Sequence, residues 1–194
     1  MRVVKYILLF GLITHALSAR TEWYDIDYAK SQITFLAKSR LVRANGIFRK
    51  WNFAGKIGAS FYVVGDALID CVSIDTDNER RDNHLKSVDF FDCAKYPQHV
   101  FRVRSVKPNN KNSLKATHFE ITGDLTMHGV TQPIALTLHR EGKDEKPSLV
   151  GSFILNRDNF GITYNSVLNP IEKEVRIELK IYLLRRTTKG PNGS

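Results

Sequence analysis

From Ser31 onward apolar side chains return at every second position, the period of a strand with one buried face rather than the 3.6-residue period of a helix. Ile33, Phe35 and Ala37 alternate with Thr34, Leu36 and Lys38, and Phe101 and Val103 with Arg102 and Arg104. Thr117, Phe119 and Ile121 alternate with His118, Glu120 and Thr122; Ile134, Leu136 and Leu138 with Ala135, Thr137 and His139; Val175, Ile177, Leu179, Ile181 and Leu183 with Arg176, Glu178, Lys180 and Tyr182. Turn formers bound these runs at Pro108-Asn109-Asn110, Gly129 to Pro133, Glu141 to Asp144 and Asn169-Pro170, so the chain reads as successive hairpins. One stretch, Asp77 to Ser87, opens with capping and acidic residues and carries helix formers, which predicts a short helix. Asp89 to Tyr96 reads as a turn or short helix stopped by Pro97. No other stretch is long enough for a helical crossover, which argues against a parallel sheet. Seven or more antiparallel strands with one helical insertion fit a closed barrel or a sandwich.

An eight-stranded barrel is just wide enough to be filled by side chains or to hold one slender molecule, so the size of the inward residues decides its use. The inward set is rich in Phe and Ile but includes Ala37, Ala67, Cys71 and Ser73, which leave space. Periodicity alone leaves a filled core and a ligand cavity both open.

Composition narrows the class. The chain has 194 residues, 42% of them hydrophobic, which excludes a disordered, collagenous or polytopic membrane protein and suits one domain with a self-sufficient core. Met1 to Ala19 has Arg2 and Lys5 ahead of an apolar stretch from Tyr6 to Ile13 and small residues at Ala16, Ser18 and Ala19, the grammar of a cleavable secretory signal. Cleavage after Ser18 places Ala16 at the −3 position and suits the small-residue rule better than cleavage after Ala19. The expected organisation is therefore a signal peptide over 1–19, a domain over 20–185 and a flexible tail over 186–194, exported to the periplasm or secreted.

Lys and Arg number 29 against 20 Asp and Glu, a formal net charge of +9. Removing the signal takes away two positive charges and no negative one, so the exported chain stays basic. Outside the cytoplasm nucleic acid is scarce and anionic head groups are not, so the charge points to lipid surfaces or plain solubility rather than to nucleic acid.

Catalytic signatures are missing. There is no G-x-S-x-G elbow, no phosphate-binding GxxxxGK[ST] loop and no H-E-x-x-H, and no two histidines stand two or four residues apart. No metal or cofactor is expected. Cys71 falls on the inward face of its strand and Cys93 in the turn before Tyr96-Pro97; a bridge needs α-carbons within about 7 Å, and two buried thiols are the favoured reading.

Three segments carry a resemblance. They are Ser73 to Phe101 (SIDTDNERRDNHLKSVDFFDCAKYPQHVF), Gly123 to Pro133 (GDLTMHGVTQP) and Asn156 to Ile162 (NRDNFGI). With Tyr24-Asp25-Ile26-Asp27 and Gly46-Ile47-Phe48 they resemble the YceI-like family over nearly all of 23–184. The resemblance implies an all-β, lipocalin-like, extended eight-stranded antiparallel barrel with a short helical insertion and a long apolar tunnel. It also implies binding of a polyisoprenoid or other long-chain amphiphile in the bacterial periplasm. Two positions depart from the pattern: Ser39 stands where many members carry His, and Asn159 where Asp is commoner.

Within that frame Ile33, Phe35, Phe48, Ile69, Phe101, Val103, Phe119, Ile121 and Phe153 are expected to line the tunnel as the inward members of successive strands. Asp75 and Thr76 are expected to cap the helical insertion. Arg81 and Asp82, being adjacent, do not face each other and are expected to pair with different loops. Arg81, His84 and Leu85 are the residues of a lid, or of a fixed plug, over one barrel end. The expected function is a non-catalytic carrier of a long isoprenoid, isoprenoid quinone or acyl chain. The alternative is a basic module with a filled barrel, in which Arg40, Arg43, Arg49, Lys50 and Lys56 meet an anionic membrane or polymer. A second copy of the chain is also admitted as a partner.

Overall fold

The computed structural model describes residues 22–58, 61–112, 115–142 and 146–187; the signal segment, 1–19, and residues 188–194 of the expected tail lie outside them. Eleven strands and one helix follow the predicted hairpins: β1 (Glu22–Ile26), β2 (Gln32–Ser39), β3 (Arg43–Phe48), β4 (Trp51–Gly58), β5 (Val63–Asp70), β6 (Ile74–Asp75), α1 (Glu79–Lys86), β7 (Gln98–Pro108), β8 (His118–Met127), β9 (Val130–Glu141), β10 (Ser148–Asn156) and β11 (Ile171–Thr187). The order β1-β4-β5-β7-β8-β9-β10-β11, with β1 also pairing β11, closes an eight-stranded antiparallel barrel. The three further strands extend its wall. β2 lies along the same edge of β11 as β1, β3 pairs with β2 and β6 with β3.

Each predicted run is a strand because its inward residues bury against the opposite wall while its outward ones meet water and each other. On β7, Arg102 and Arg104 point outward and pair with Asp66 and Asp124, while Phe101 turns inward. A register shift between Val103 and Ser105 changes the phase of this alternation, so that Val106 is the next residue to pack inward. β11 runs to Thr187, which stands opposite Glu22, so the wall extends two residues past the domain end expected at 185 and Arg186 belongs to it.

Two packed regions stand at the ends of the barrel. At one, Tyr24, Phe61, Phe119, Leu138, Leu149 and Leu183 form a filled core. At the other, Phe35, Phe48, Ile69 and Ile74, and a neighbouring set with Phe90, Leu125, Leu155, Phe160 and Ile162, share Leu85 and Phe91 from the helical insertion. The insertion thus covers this second end.

Cys71 and Cys93 are joined in a disulfide, with α-carbons 5.5 Å apart, which corrects the expectation of two thiols. Cys71 opens a short 3-10 turn between β5 and β6 and its N–H donates to the Pro97 carbonyl, so the chain before β7 is drawn back beside it. Spacing in sequence carried no trace of that proximity.

Candidate ligand-binding site

An apolar cavity of about 560 Å³ runs through the barrel from beneath the filled end, and the residues packed at the second end form part of its wall. Its volume is within the range of sites that enclose small-molecule ligands. Ile33, Phe35, Phe48, Ile69, Phe101, Val103, Ile121 and Phe153 all stand in its wall, brought together from β2, β3, β5, β7, β8 and β10. Phe119 does not, and its expected place is corrected: its ring packs against Phe61, centroids 4.6 Å apart, and helps fill the opposite end. Phe119 and Ile121 share a face of β8, and only their height along the barrel separates a packing residue from a lining one. Periodicity has no information about height.

Two lining positions depend on glycine. The ring of Phe35 lies over Gly46, its neighbour across β2 and β3, and the ring of Phe101 covers Gly123 on β8. A side chain at either glycine would push a lining ring off the wall.

The β2–β3 turn, the segment 163–170 and α1 supply the polar border of the cavity, with Lys38, Ser39, Ser166, Asn169, Arg81 and His84, and we assign its mouth to this border. The two loops are tied together: Leu41 N–H donates to Asn169 Oδ1 at 3.0 Å and Arg40 N–H to the Pro170 carbonyl at 3.0 Å. Arg157, from the NRDNFGI motif, holds the same segment from inside, donating to the carbonyls of Ile162, Ile171 and Glu172. Ser39, at the position of the missing His, uses its hydroxyl to close the β2–β3 turn on Val42.

The helical insertion is fastened at both flanks. Asn78, rather than Asp75 or Thr76, caps α1, its side chain accepting from Arg81 N–H; Asp75 instead takes the Asp77 N–H and pairs with Arg49. Thr76 is the meeting point of the next two charges: Arg81 donates to its hydroxyl and its carbonyl, and the buried Asp82 accepts from its N–H and its hydroxyl. Arg81 and Asp82 therefore converge on one residue instead of pairing with different loops. At the far flank Phe91 N–H and Cys93 N–H return to the carbonyls of Leu85 and Lys86, and the disulfide follows. His84, 3.1 Å from Asp89, presents its ring edge-on to Phe90 and to Tyr164, each at 4.9 Å. These contacts close α1 onto the loop across the mouth.

Leu125, Leu136, Ile177 and Leu179 are among further wall residues that the sequence reading did not name as lining, and so is the buried His99. His99 precedes Phe101 and Val103 on β7 and stands opposite Ile69, so its side chain is the first of an inward row. It is 3% exposed, packed against Phe48 and Phe91, and neither ring nitrogen has a hydrogen-bond partner. Burial, with a smaller contribution from His128, lowers its pKa to about 4, so the ring is neutral near pH 7. Carrying the alternation one step back from Phe101 would have found it. His118 and His139 face each other across β8 and β9 on the outer surface, centroids 5.5 Å apart, in keeping with their polar-face positions.

The expected basic cluster does not hold together as one patch. Arg40 and Arg43 flank the β2–β3 turn at the mouth, whereas Arg49 is paired with Asp75 and lies about 20 Å farther along the strand direction at ~3.3 Å per residue. Lys50 follows it at the β3–β4 junction, and Lys56 stands on the outer face of β4 opposite Val64.

Comparison with known proteins places this architecture. The model of the YceI-like domain matches residues 24–183. A UPF0312 protein of Staphylococcus aureus (strain N315) is 30% identical over 169 residues, which cover 80% of this chain and 93% of that protein. A protein YceI of Escherichia coli O157:H7 is 42% identical over a shorter stretch of 82 residues, 42% of this chain and 40% of that one. Among solved structures, Burkholderia cenocepacia BcnA superposes with a TM-score of 0.71 at 21% identity, covering 81% of this chain and 99% of its own. A polyisoprenoid binding domain from Saccharophagus degradans, implicated in plant cell wall breakdown, does so with a TM-score of 0.66 at 15% identity, covering 84% and 98%. At those identities the two structures speak for the fold. The family match spans most of the described barrel, its closing strand and its helical insertion together, and the chain belongs to the YceI-like family.

Proposed function

We propose that this protein is an exported, non-catalytic carrier or reservoir for a long apolar amphiphile, a polyisoprenoid, an isoprenoid quinone or a fatty acyl chain, whose tail lies in the barrel cavity. The observation that carries the reading is the cavity itself, about 560 Å³ walled mainly by Ile, Leu, Val and Phe side chains. Burying one methylene contributes about 0.8 kcal/mol, so about ten of them supply roughly 8 kcal/mol, the free energy of a micromolar complex before ordering costs are subtracted. A continuous apolar lining is the feature such a ligand requires. The polyisoprenoid binding recorded for the Saccharophagus degradans domain supports the same class.

A cavity of this size counts against the filled-barrel alternative, but the docking element of that alternative survives at the mouth. Leu41, Val42, Val167 and Leu168 are 75%, 45%, 97% and 86% exposed on the two tied loops, with Lys38, Arg40 and Arg43 beside them. Glu172 and Glu174 begin only beyond them, on β11. Apolar tips ringed by cations suit a bilayer with anionic head groups, where the tips enter the lipid and the cations meet phosphates. A carrier needs such a contact because its cargo does not cross water unaided. On this reading α1, with Arg81, His84 and Leu85, covers the entrance.

Native mass spectrometry of freshly purified protein, followed by solvent extraction, tests the proposal. Co-purified or added polyprenyl or acyl lipid bound at one molecule per chain is expected. Protein that arrives bare and takes up neither lipid overturns the carrier reading.

A further inference from the structure

A tunnel that only had to hold hydrocarbon would gain from an apolar residue at every inward position, yet the first inward position of β7 is a histidine. His99 is almost fully buried at the end of the cavity covered by α1, with Phe48 and Phe91 against its ring. Neither Nδ1 nor Nε2 meets a hydrogen-bonding group of the protein. Leaving a buried polar group without a partner is costly, and such groups in folded proteins usually have a use. A leucine at this position would pack without that cost.

Building on the carrier reading, we propose that His99 is the hydrogen-bonding station for the head of the bound amphiphile, and that the head is an uncharged oxygen group, a hydroxyl or a carbonyl. A neutral imidazole offers one N–H donor and one nitrogen acceptor, which matches a hydroxyl in both directions and a carbonyl in one. It offers no charge to balance a carboxylate or phosphate, whose transfer into so apolar a site is far more costly than that of a neutral group. The ring's depressed pKa keeps it in this neutral form at physiological pH. The rings of Phe48 and Phe91 pack on the imidazole, so an arriving head displaces one of them. Phe91 is the natural choice, because it stands on the turn after α1 rather than on a strand. The cargo then lies with its head under α1 and its tail toward Leu149 and Ile181 at the other end of the cavity.

Three probes that share one branched carbon skeleton separate the head from the tail: phytane, phytol and phytanic acid. Affinities are measured by native mass spectrometry and by displacement of a fluorescent lipid, for the wild-type chain, His99→Leu and His99→Gln. In wild type, phytol is expected to bind at least tenfold more tightly than phytane, and phytanic acid more weakly than phytol at pH 7.5. His99→Leu should bind phytane as well as wild type does, or better, and lose the preference for phytol. His99→Gln, which keeps a donor and an acceptor, should restore part of it. Equal affinity of wild type for phytol and phytane, or a preference that persists in His99→Leu, overturns the proposal and leaves the carrier reading standing. Failure of wild type to bind any of the three strikes the carrier reading itself. Should His99→Leu not fold, imidazole 15N shifts of the wild-type protein decide: they must move with phytol and stay with phytane, and shifts that ignore phytol overturn the assignment.

Discussion

Phe35 on β2 stands directly opposite Gly46 on β3, and its ring occupies the inward face where any Cβ on that glycine would overlap it. The methyl group of Thr76 closes the same space from the α1 side. Glycine is therefore the residue that lets a lining phenylalanine lie along the wall instead of across the cavity.

Gly46→Ala should cost about 1–3 kcal/mol, the usual penalty for forcing a methyl group into a packed site. It should also lower lipid uptake, because the displaced ring enters the cavity. Adding Phe35→Leu should recover part of both losses, and urea midpoints for the four proteins of that cycle give the coupling. Additive losses would show that the two residues do not act through each other.

Phe101→Trp should leave the barrel folded and reduce binding of long chains, since this ring stands in the middle of the wall and lies over Gly123. Circular dichroism reports the fold and displacement of a fluorescent acyl probe reports the cavity. Undiminished uptake by the folded variant would remove Phe101 from the set that touches cargo.

The disulfide closes a loop spanning 22 positions that contains β6 and α1. Replacing both cysteines by serine should lower stability by about 3 kcal/mol on loop-closure entropy. Hydrogen exchange through Arg80 to Lys86 distinguishes a lid from a plug. A lid exchanges fast in the delipidated protein and slows on loading, whereas a plug is strongly protected in both states. In the serine variant exchange should quicken from Leu85 to Cys93, where the segment loses its anchor.

Acid should destabilise the protein earlier than its surface carboxylates do. His99 has a folded-state pKa of about 4, below the value near 6.5 of an unfolded histidine, so the unfolded chain takes up a proton that the folded one refuses. Stability should therefore fall as the pH drops from about 6.5 to about 4, by roughly 3 kcal/mol for this one group. Asp66, Asp75 and Asp158, held low by hydrogen bonds involving Arg102, Asp77 with Arg49, and Lys173, lose their contributions at still lower pH. Urea midpoints at pH 7, 5.5 and 4 for wild type and His99→Phe test the assignment: the variant should be flatter, and parallel curves would clear His99 of the effect.

Leu41→Asp, Val167→Asp and Leu168→Asp together should abolish association with anionic vesicles and slow lipid extraction from them, while binding of detergent-dispersed lipid stays unchanged. Sedimentation with vesicles of phosphatidylglycerol and phosphatidylcholine, at low and high salt, measures the first effect. Should the wild-type chain ignore vesicles and form dimers that the triple variant breaks, these loops serve a second copy of the chain rather than a bilayer.

Much of the barrel was legible because strands announce themselves by a period of two, and the polar, helix-forming run at 77–87 stands out against it. The mouth was not legible. Val167 and Leu168 belong to a segment without period, and their partnership with Leu41 depends on a hydrogen bond spanning 128 positions. Thr76 shows a second limit: its neighbours Asp75 and Asn78 are equally good capping types, and only the direction in which the chain leaves β6 makes Asn78 the cap and Thr76 the anchor for Arg81 and Asp82. His99 escapes for a different reason, since a polar residue is read as the end of a strand, although the same period carried one step back from Phe101 places it inward, opposite Ile69.

β11 has consequences for how the molecule is made. One of its edges receives β10, and the other receives both β1 and β2, with Glu22 finding its partner only at Thr187. Until the seventeen residues of this strand emerge, β10 and the first two strands all carry unsatisfied edges, the templates on which chains aggregate. Barrel closure is thus a late event in synthesis, with contacts of long sequence separation that form slowly. Chains cut short before Ile171 are left as adhesive open sheets rather than smaller barrels.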